Sequence, residues 1–258
     1  MRIALTIAGS DSGGGAGIQA DLKTFHRFGV FGTSVITAIT AQNTIGVVDW
    51  MAVPIALITE QIDAVATDLR PAAVKTGMLA DAGVVGAVKS GIMKYGLAPY
   101  VLDPVMVATS GDPLVDPDAV LAIESELLPL ADLVTPNLDE ARILTGMEVA
   151  DVATMERAGR LLVERGAKAA LIKGGHLSGA EAIDVLCLGG SVRLFRHPRI
   201  DTRHTHGTGC TLSAAIAAHL ALGRAMEDAV ECSLEFVHRA IATAPALGSG
   251  NGPLNHFA

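Results

Sequence analysis

The chain has 258 residues, half of them hydrophobic and 3% aromatic, enough to bury one large core, and a single domain over 1–258 is expected. Nineteen Lys and Arg against 27 Asp and Glu leave a formal charge of −8, with no basic cluster, which argues against nucleic acid as a partner. The cysteines Cys187, Cys210 and Cys232 show neither paired spacing nor a Cys/His ligand pattern, so neither a disulfide framework nor a zinc site is indicated.

Short β-branched runs alternate with longer helical patterns from the start. The apolar stretch 3–8 is too short for a signal-peptide core, and no run is long enough to span a bilayer, so a soluble cytoplasmic protein without a membrane partner is expected. Periodicity predicts a strand over 3–8 and a helix over 15–28, then a strand over 34–40 and a helix over 55–69. A strand over 73–75 and a helix over 82–94 follow, then a strand over 100–102 and a helix over 118–127. The pattern continues with a strand over 133–135, helices over 138–144 and 154–165, and a strand over 169–173. Residues 183–188 and 192–195, joined by Gly189-Gly190-Ser191, read as a β-hairpin, and helices over 208–222 and 226–243 close the chain. Such alternation implies a mostly parallel sheet covered by helices on both faces, with ligands beyond the carboxyl ends of its strands.

The residues just after each strand carry the chemistry. Gly9-Ser10-Asp11-Ser12-Gly13-Gly14-Gly15-Ala16-Gly17 follows the first strand, a flexible loop that lets a ligand approach the backbone closely. Gly15-x-Gly17-x-x-Ala20 matches a dinucleotide fingerprint, but its glycines start well after the strand, and the second strand ends in Thr40-Ala41-Gln42 without an acid for a ribose. Gly9 and Gly14 have P-loop spacing, yet Gly15 and Ala16 stand where lysine and a hydroxyl residue are required. Asp103-Pro104-Val105 and Thr135-Pro136-Asn137-Leu138-Asp139-Glu140 place oxygen ligands at two further strand ends. Asn137 and Glu140, one helical turn apart, suit magnesium on a nucleotide, directly or through water, and equally suit an N-cap with its capping box. Lys173 is a cation just outside the sheet, placed either to meet a transferring phosphoryl group or to snorkel at a strand end. Residues 108–113 are small and turn-forming, a candidate lid or an ordinary surface turn. Finally, His206-Gly207-Thr208-Gly209-Cys210-Thr211 runs straight into an apolar helix, so a thiol sits where a glycine-rich loop opens a helix. Unpaired first-turn N–H groups and the helix dipole attract anions there and favour the thiolate of Cys210; a tight turn with a buried cysteine is the alternative.

Together, the segment from Gly9 to Asp21, Thr135-Pro136-Asn137-Leu138-Asp139-Glu140-Ala141, Leu171-Ile172-Lys173-Gly174-Gly175-His176 and His206-Gly207-Thr208-Gly209-Cys210-Thr211 resemble the hydroxymethylpyrimidine/phosphomethylpyrimidine kinases of thiamine biosynthesis. The order and spacing match over nearly the whole chain. The resemblance implies a three-layer α/β/α ribokinase-like fold, ATP and Mg2+ as co-substrate and cofactor, and a cytoplasmic homodimer. It also implies phosphorylation of an aminopyrimidine alcohol and then of its monophosphate. Most ribokinase-like enzymes carry aspartate where this chain has Cys210; the pyrimidine kinases resemble it in carrying cysteine.

Carried over residue by residue, the resemblance makes Cys210 the base, with Lys173 and the backbone of Gly207 and Gly209 stabilising the transferring group. Gln42 would pair its amide with the aminopyrimidine edge, Asp21, Ala16, Gly17 and Gly9 would surround its polar side, and Met78 and Val105 would pack against the ring faces. Asp103, Asn137, Thr208 and Gly209 would meet the nucleotide, and Glu140 and Asn137 the magnesium ion. A phosphate monoester with a second pKa of about 6 is already ionised, so the second transfer should need no general base. A pyridoxine or pyridoxal kinase of the same fold is the near alternative. A non-catalytic ligand sensor and a cysteine hydrolase are remote ones, the latter because Thr208 and Leu212 stand where a nucleophile elbow needs glycine.

Overall fold

Aliphatic runs without polar alternation make strands that need cover on both faces. Ile3–Asp11 (β1) is such a run, buried along nearly its whole length. The computed structural model describes residues 1–106, 115–175 and 177–258, so the candidate lid over 108–113 lies outside the described residues. After β1 come α1 (Gly17–Arg27), β2 (Phe31–Gln42), β3 (Val47–Ala52), α2 (Ile55–Asp68), β4 (Val74–Thr76) and α3 (Ala82–Tyr95). The middle of the chain forms β5 (Tyr100–Leu102), α4 (Pro117–Ala122), β6 (Leu133–Val134), α5 (Leu138–Thr145) and α6 (Val152–Glu164). It ends with β7 (Ala169–Ile172), β8 (Glu181–Leu188), β9 (Ser191–Pro198), α7 (Thr208–Ala221) and α8 (Met226–Ala242).

The strands form one sheet in the order β3-β2-β1-β4-β5-β6-β7-β8-β9. From β2 to β7 the neighbours pair in parallel, while β3 on β2, β8 on β7 and β9 on β8 are antiparallel. The chain first winds to one side of β1 and then crosses to the other, so strand order reverses between β1 and β4. A crevice for ligands belongs at the carboxyl ends of those strands.

Helices cover both faces. One face packs Leu5, Ile7 and Leu102 against Ile58 and Ile62 of α2, Val84 and Val88 of α3, and Met155 and Leu162 of α6. The other packs Ala4, Val101 and Leu171 against Phe25 of α1, Phe236 of α8 and the alanines of α7. α7 is buried on nearly all sides, and its small residues let it lie close to the sheet.

Three of the differences from the periodicity have a physical cause in the sequence around them. β3 is unforeseen: Val-Val-Asp-Trp-Met-Ala does not alternate, and it forms because β2 runs on to Gln42 and offers a free edge. The helix expected over 118–127 is regular only to Ala122, then widens into a π turn over Ile123–Leu127 and tightens into a 3-10 turn over Leu128–Leu130, where Pro129 cannot continue an α-helix. α1 starts at Gly17 rather than residue 15, because Gly15 and Ala16 spend their N–H groups on Asp11.

Candidate functional site

The carboxyl ends of β1, β4, β5 and β7 meet the N-terminus of α7, and most of the sequence-predicted residues converge there. The loop after β1 is built by Asp11. Its Oδ1 accepts the N–H of Gly13 at 2.7 Å, and its Oδ2 accepts those of Gly15 and Ala16 at 2.9 and 2.7 Å. Burial alone would raise its carboxyl, but the hydrogen bonds from His206, the Ala16 backbone and Gln42 hold it at about 2. Gly17 takes φ +56, and a Cβ there would collide with the carbonyl of Gly9. Only glycine closes this turn.

α7 opens at Gly207 with φ +82 and no side-chain cap. Thr208 Oγ1 donates to Thr205 O at 2.7 Å, so its hydroxyl secures the turn. The first-turn amides of Gly209 and Cys210 are the donors that helix geometry leaves without a carbonyl partner. Cys210 is half-buried at this helix start. Burial pushes its thiol up to about 11, with Asp21 and Asp103 adding to the rise, against the charge of Lys75 and the Gly17 backbone. The expectation that the helix end favours the thiolate is therefore corrected: burial and two carboxylates raise the thiol.

Below α7 lies an ionic cluster. Asp103, 1% exposed, accepts from Lys173 Nζ at 3.1 Å and Thr135 Oγ1 at 3.3 Å on one oxygen, and from Ser213 Oγ at 3.0 Å on the other. Burial opposes its charge, yet Lys173 and Lys75 hold the carboxyl below its usual range. Glu140 Oε2 stands 3.9 Å from Lys173 Nζ. Burial raises its carboxyl to about 7, against the pull of Lys173. Burial disfavours the charge of Lys173 in turn, but Asp103 and Glu140 raise its ammonium above the usual range. A Cβ at Gly209 would lie 3.2 Å from Lys173 Nζ and 3.7 Å from Asp103 Oδ2, so glycine lets the first turn of α7 settle onto the pair.

Asn137 is the N-cap of α5 and forms a full capping box: its Oδ1 accepts the N–H of Glu140 at 2.9 Å, and Glu140 Oε2 accepts the N–H of Asn137 at 2.8 Å. Among the described residues no group of three or more His, Cys, Asp or Glu gathers around one point. Asp103 and Glu140 instead make a pair of hard carboxylate donors, the set that suits magnesium when phosphate and water oxygens complete its shell.

On the other side of α7, Met78 and Val105 cluster with Ala38 and Ala80, and a Cβ at Gly9 would lie 3.2 Å from Met78 Sδ. Gln42 ends β2 just past a register shift, with its N–H bonded to Ser12 Oγ at 2.8 Å. Gly9, Ala16, Gly17, Gln42, Met78 and Val105 are thus grouped around the loop after β1.

Asp21 is placed differently from the rest. It is fully buried, accepting from Thr6 Oγ1 at 2.6 Å and from Lys75 Nζ at 2.9 and 3.1 Å, so both oxygens face inward partners rather than a ligand. Asp11, Lys75 and His206 are the charged or titratable site residues that sequence reasoning missed. Lys75 looked like an ordinary end of a short strand; the signal was a lysine followed at once by Thr76-Gly77, where a Cβ at Gly77 would come 3.0 Å from its Nζ.

Residues 11–255 match the family described as phosphomethylpyrimidine kinase. The chain is 53% identical over 258 residues to the hydroxymethylpyrimidine/phosphomethylpyrimidine kinase of Rhizobium meliloti (strain 1021), covering 99% of this chain and 97% of the relative. The crystal structure of phosphomethylpyrimidine kinase from Clostridium difficile 630 is 43% identical, with a TM-score of 0.84, covering 93% of this chain and all of the other. An ADP complex of Bacillus subtilis pyridoxal kinase is 38% identical, with a TM-score of 0.93 over 99% of this chain and 97% of the other.

Proposed function

Because the chain belongs to the phosphomethylpyrimidine kinase family, we propose that its crevice transfers the γ-phosphoryl group of ATP to 4-amino-5-hydroxymethyl-2-methylpyrimidine, and then phosphorylates the monophosphate. The fold is ribokinase-like, and the protein is a phosphotransferase. One observation carries the residue roles: Cys210 at the mouth of α7 stands beside the Lys173, Asp103 and Glu140 cluster, so a proton acceptor and a phosphate cradle share one helix end.

The hydroxymethyl oxygen attacks the γ-phosphorus in line, and its proton passes to Cys210 Sγ. The N–H groups of the turn from Gly207 to Cys210, together with the ammonium of Lys173, face the charge spread over the transferring oxygens. Asp103 holds Lys173 in place at 3.1 Å and, with Thr208 and Gly209, lines the nucleotide side. Gln42 reads the aminopyrimidine edge, and Met78 and Val105 sandwich the ring. Glu140 would hold a nucleotide-bound magnesium ion, with Asn137 acting through water, and the ion would withdraw charge from the β- and γ-phosphoryl oxygens. The residues fit such an ion, since a bound cation would favour the charged form of Glu140 that burial disfavours.

We also propose a cytoplasmic homodimer. All three cysteines are unpaired, in keeping with a reducing compartment. Ile39 and Met51 oppose each other across β2 and β3 and are 50% and 65% exposed, a pair of apolar side chains on one face of the sheet edge.

Likeness to the pyridoxal kinase of Bacillus subtilis favours one second reading, turnover of pyridoxal in the same slot. Comparing ADP formation with the aminopyrimidine alcohol and with pyridoxal tests the assignment. A higher kcat/KM for the pyrimidine is expected, and preference for pyridoxal overturns it.

A further inference from the structure

A side-chain hydrogen bond joins the two glycine-rich loops flanking the crevice. His206 Nε2 lies 3.0 Å from Asp11 Oδ2, with the two side chains 14% and 1% exposed. Each partner organises one loop. Asp11 collects the amides of Gly13, Gly15 and Ala16, which fixes the segment leading into Gly17. His206 directly precedes Gly207, the left-handed residue that opens α7, and its own N–H donates to Gly252 O at 3.2 Å.

There is no free space between these parts. A Cβ at Gly15 would lie 2.5 Å from His206 Cδ2 and 3.1 Å from Pro253 Cβ, while one at Gly207 would collide with the Gly15 carbonyl. Any shift of the loop after β1 must therefore be passed to the start of α7, unless the contact between Asp11 and His206 breaks. In-line transfer depends on such registration, because a misplacement of about 1 Å can cost ~100-fold in rate.

We propose that Asp11 and His206 are positioning residues that lock the loop holding the acceptor alcohol to the loop holding the transferring phosphoryl group. The proposal rests on the assignment of those two loops given above. Neither side chain touches the reacting atoms; Asp11 acts through Ala16 and Gly17, and His206 through Gly207. Breaking the contact leaves the nucleotide bound while the alcohol loses alignment, so water takes its place as acceptor. A purely structural role would lower the melting temperature without changing how ATP is partitioned.

The test compares His206→Ala, His206→Gln and Asp11→Asn in the full-length protein. It measures kcat, the KM for ATP, and the ratio of ADP to phosphopyrimidine formed. His206→Ala is expected to lower kcat by about 30- to 100-fold with the KM for ATP within about threefold, and to raise the ADP-to-product ratio above one. His206→Gln, whose amide nitrogen sits near the position of Nε2 and donates to Asp11, should recover to within about fivefold of the original kcat. Should His206→Ala fail to fold, Asp11→Asn carries the test, since it keeps the shape and weakens the charged contact; a raised ratio supports the clamp. A ratio that stays at one in both variants overturns it, as does a glutamine variant no better than alanine. Gln42→Ala serves as the control for the underlying assignment. An unchanged KM for the pyrimidine there sinks the loop assignment itself, whereas a raised KM beside unchanged coupling in His206→Ala sinks only the clamp.

Discussion

Lys75 Nζ lies 2.9 Å from Asp21 Oδ2, and neither side chain touches solvent. An ion pair so placed is an expensive element of a core, and its position explains it: Lys75 is the main cation acting on the Cys210 thiol. Breaking the pair with Lys75→Met or Asp21→Asn strands a buried charge or donor and should destabilise the fold by about 3–5 kcal/mol. Replacing both by apolar residues of similar volume should restore much of that stability, yet leave the first phosphorylation impaired. Denaturant unfolding beside a kinase assay separates the two effects; full activity in the stable double variant would show that the pair has no electrostatic role.

Cys210→Ala should lower phosphorylation of the alcohol by about 10²- to 10⁴-fold, the range of general base catalysis, and phosphorylation of the monophosphate far less. The thiol at about 11 also fixes a pH dependence. Since only the thiolate accepts a proton, the first transfer should accelerate by roughly tenfold per unit between pH about 7 and about 9, while the second stays nearly flat. Parallel pH profiles of the two half-reactions check this, and identical profiles would remove Cys210 from the base role.

Glu140 links pH to stability and to magnesium. Its carboxyl is raised from 4.5 to about 7, so between those values the folded chain holds a proton that the unfolded chain has lost. Stability should therefore fall as pH rises across that window. Glu140→Gln, which retains an acceptor for the N–H of Asn137, should show a flatter dependence. Magnesium with a non-hydrolysable ATP analogue should raise the melting temperature of the wild-type protein well above pH 7 more than that of Glu140→Gln. Equal shifts in a thermal melt would place the ion elsewhere.

Met51→Lys puts a charge at the centre of the exposed apolar edge formed with Ile39. If that edge joins two copies, the variant should sediment as a monomer where the wild-type protein sediments as a dimer. A dimer unaffected by Met51→Lys uses another surface.

The main chain was the most readable part of the fold. Parallel strands covered on both faces appear as mainly aliphatic runs, and the Ile3 to Ala8 part of β1 and Ala169–Ile172 announce themselves in that way. β3 does not, because an edge strand with exposed Val48 and Met51 carries no alternation to detect. Among site residues, those at strand ends and helix starts were legible from local rules: Asn137 with Glu140 as a capping box, Gly207 as a positive-φ turn, Lys173 beyond a strand. The partners of Asp21 were not, since nothing within the sequence from Ala16 to Thr24 shows that its carboxylate turns toward Thr6 and Lys75 rather than toward a ligand.

By itself the sequence determined what local interactions determine: the alternation of strands and helices, the two glycine-rich turns, and a cysteine at a helix start that marks the family. Only the tertiary structure decided the charge states and the couplings between distant segments. Packing α7 onto β4 and β5 buries Cys210 beside Asp21 and Asp103, which raises its thiol despite the opposing charge of Lys75, where the isolated helix end would lower it. The same packing brings His206 within hydrogen-bond distance of Asp11, 195 residues earlier. Desolvation and Coulomb interactions depend on distances through space, and those are set only when the whole chain has closed around the crevice.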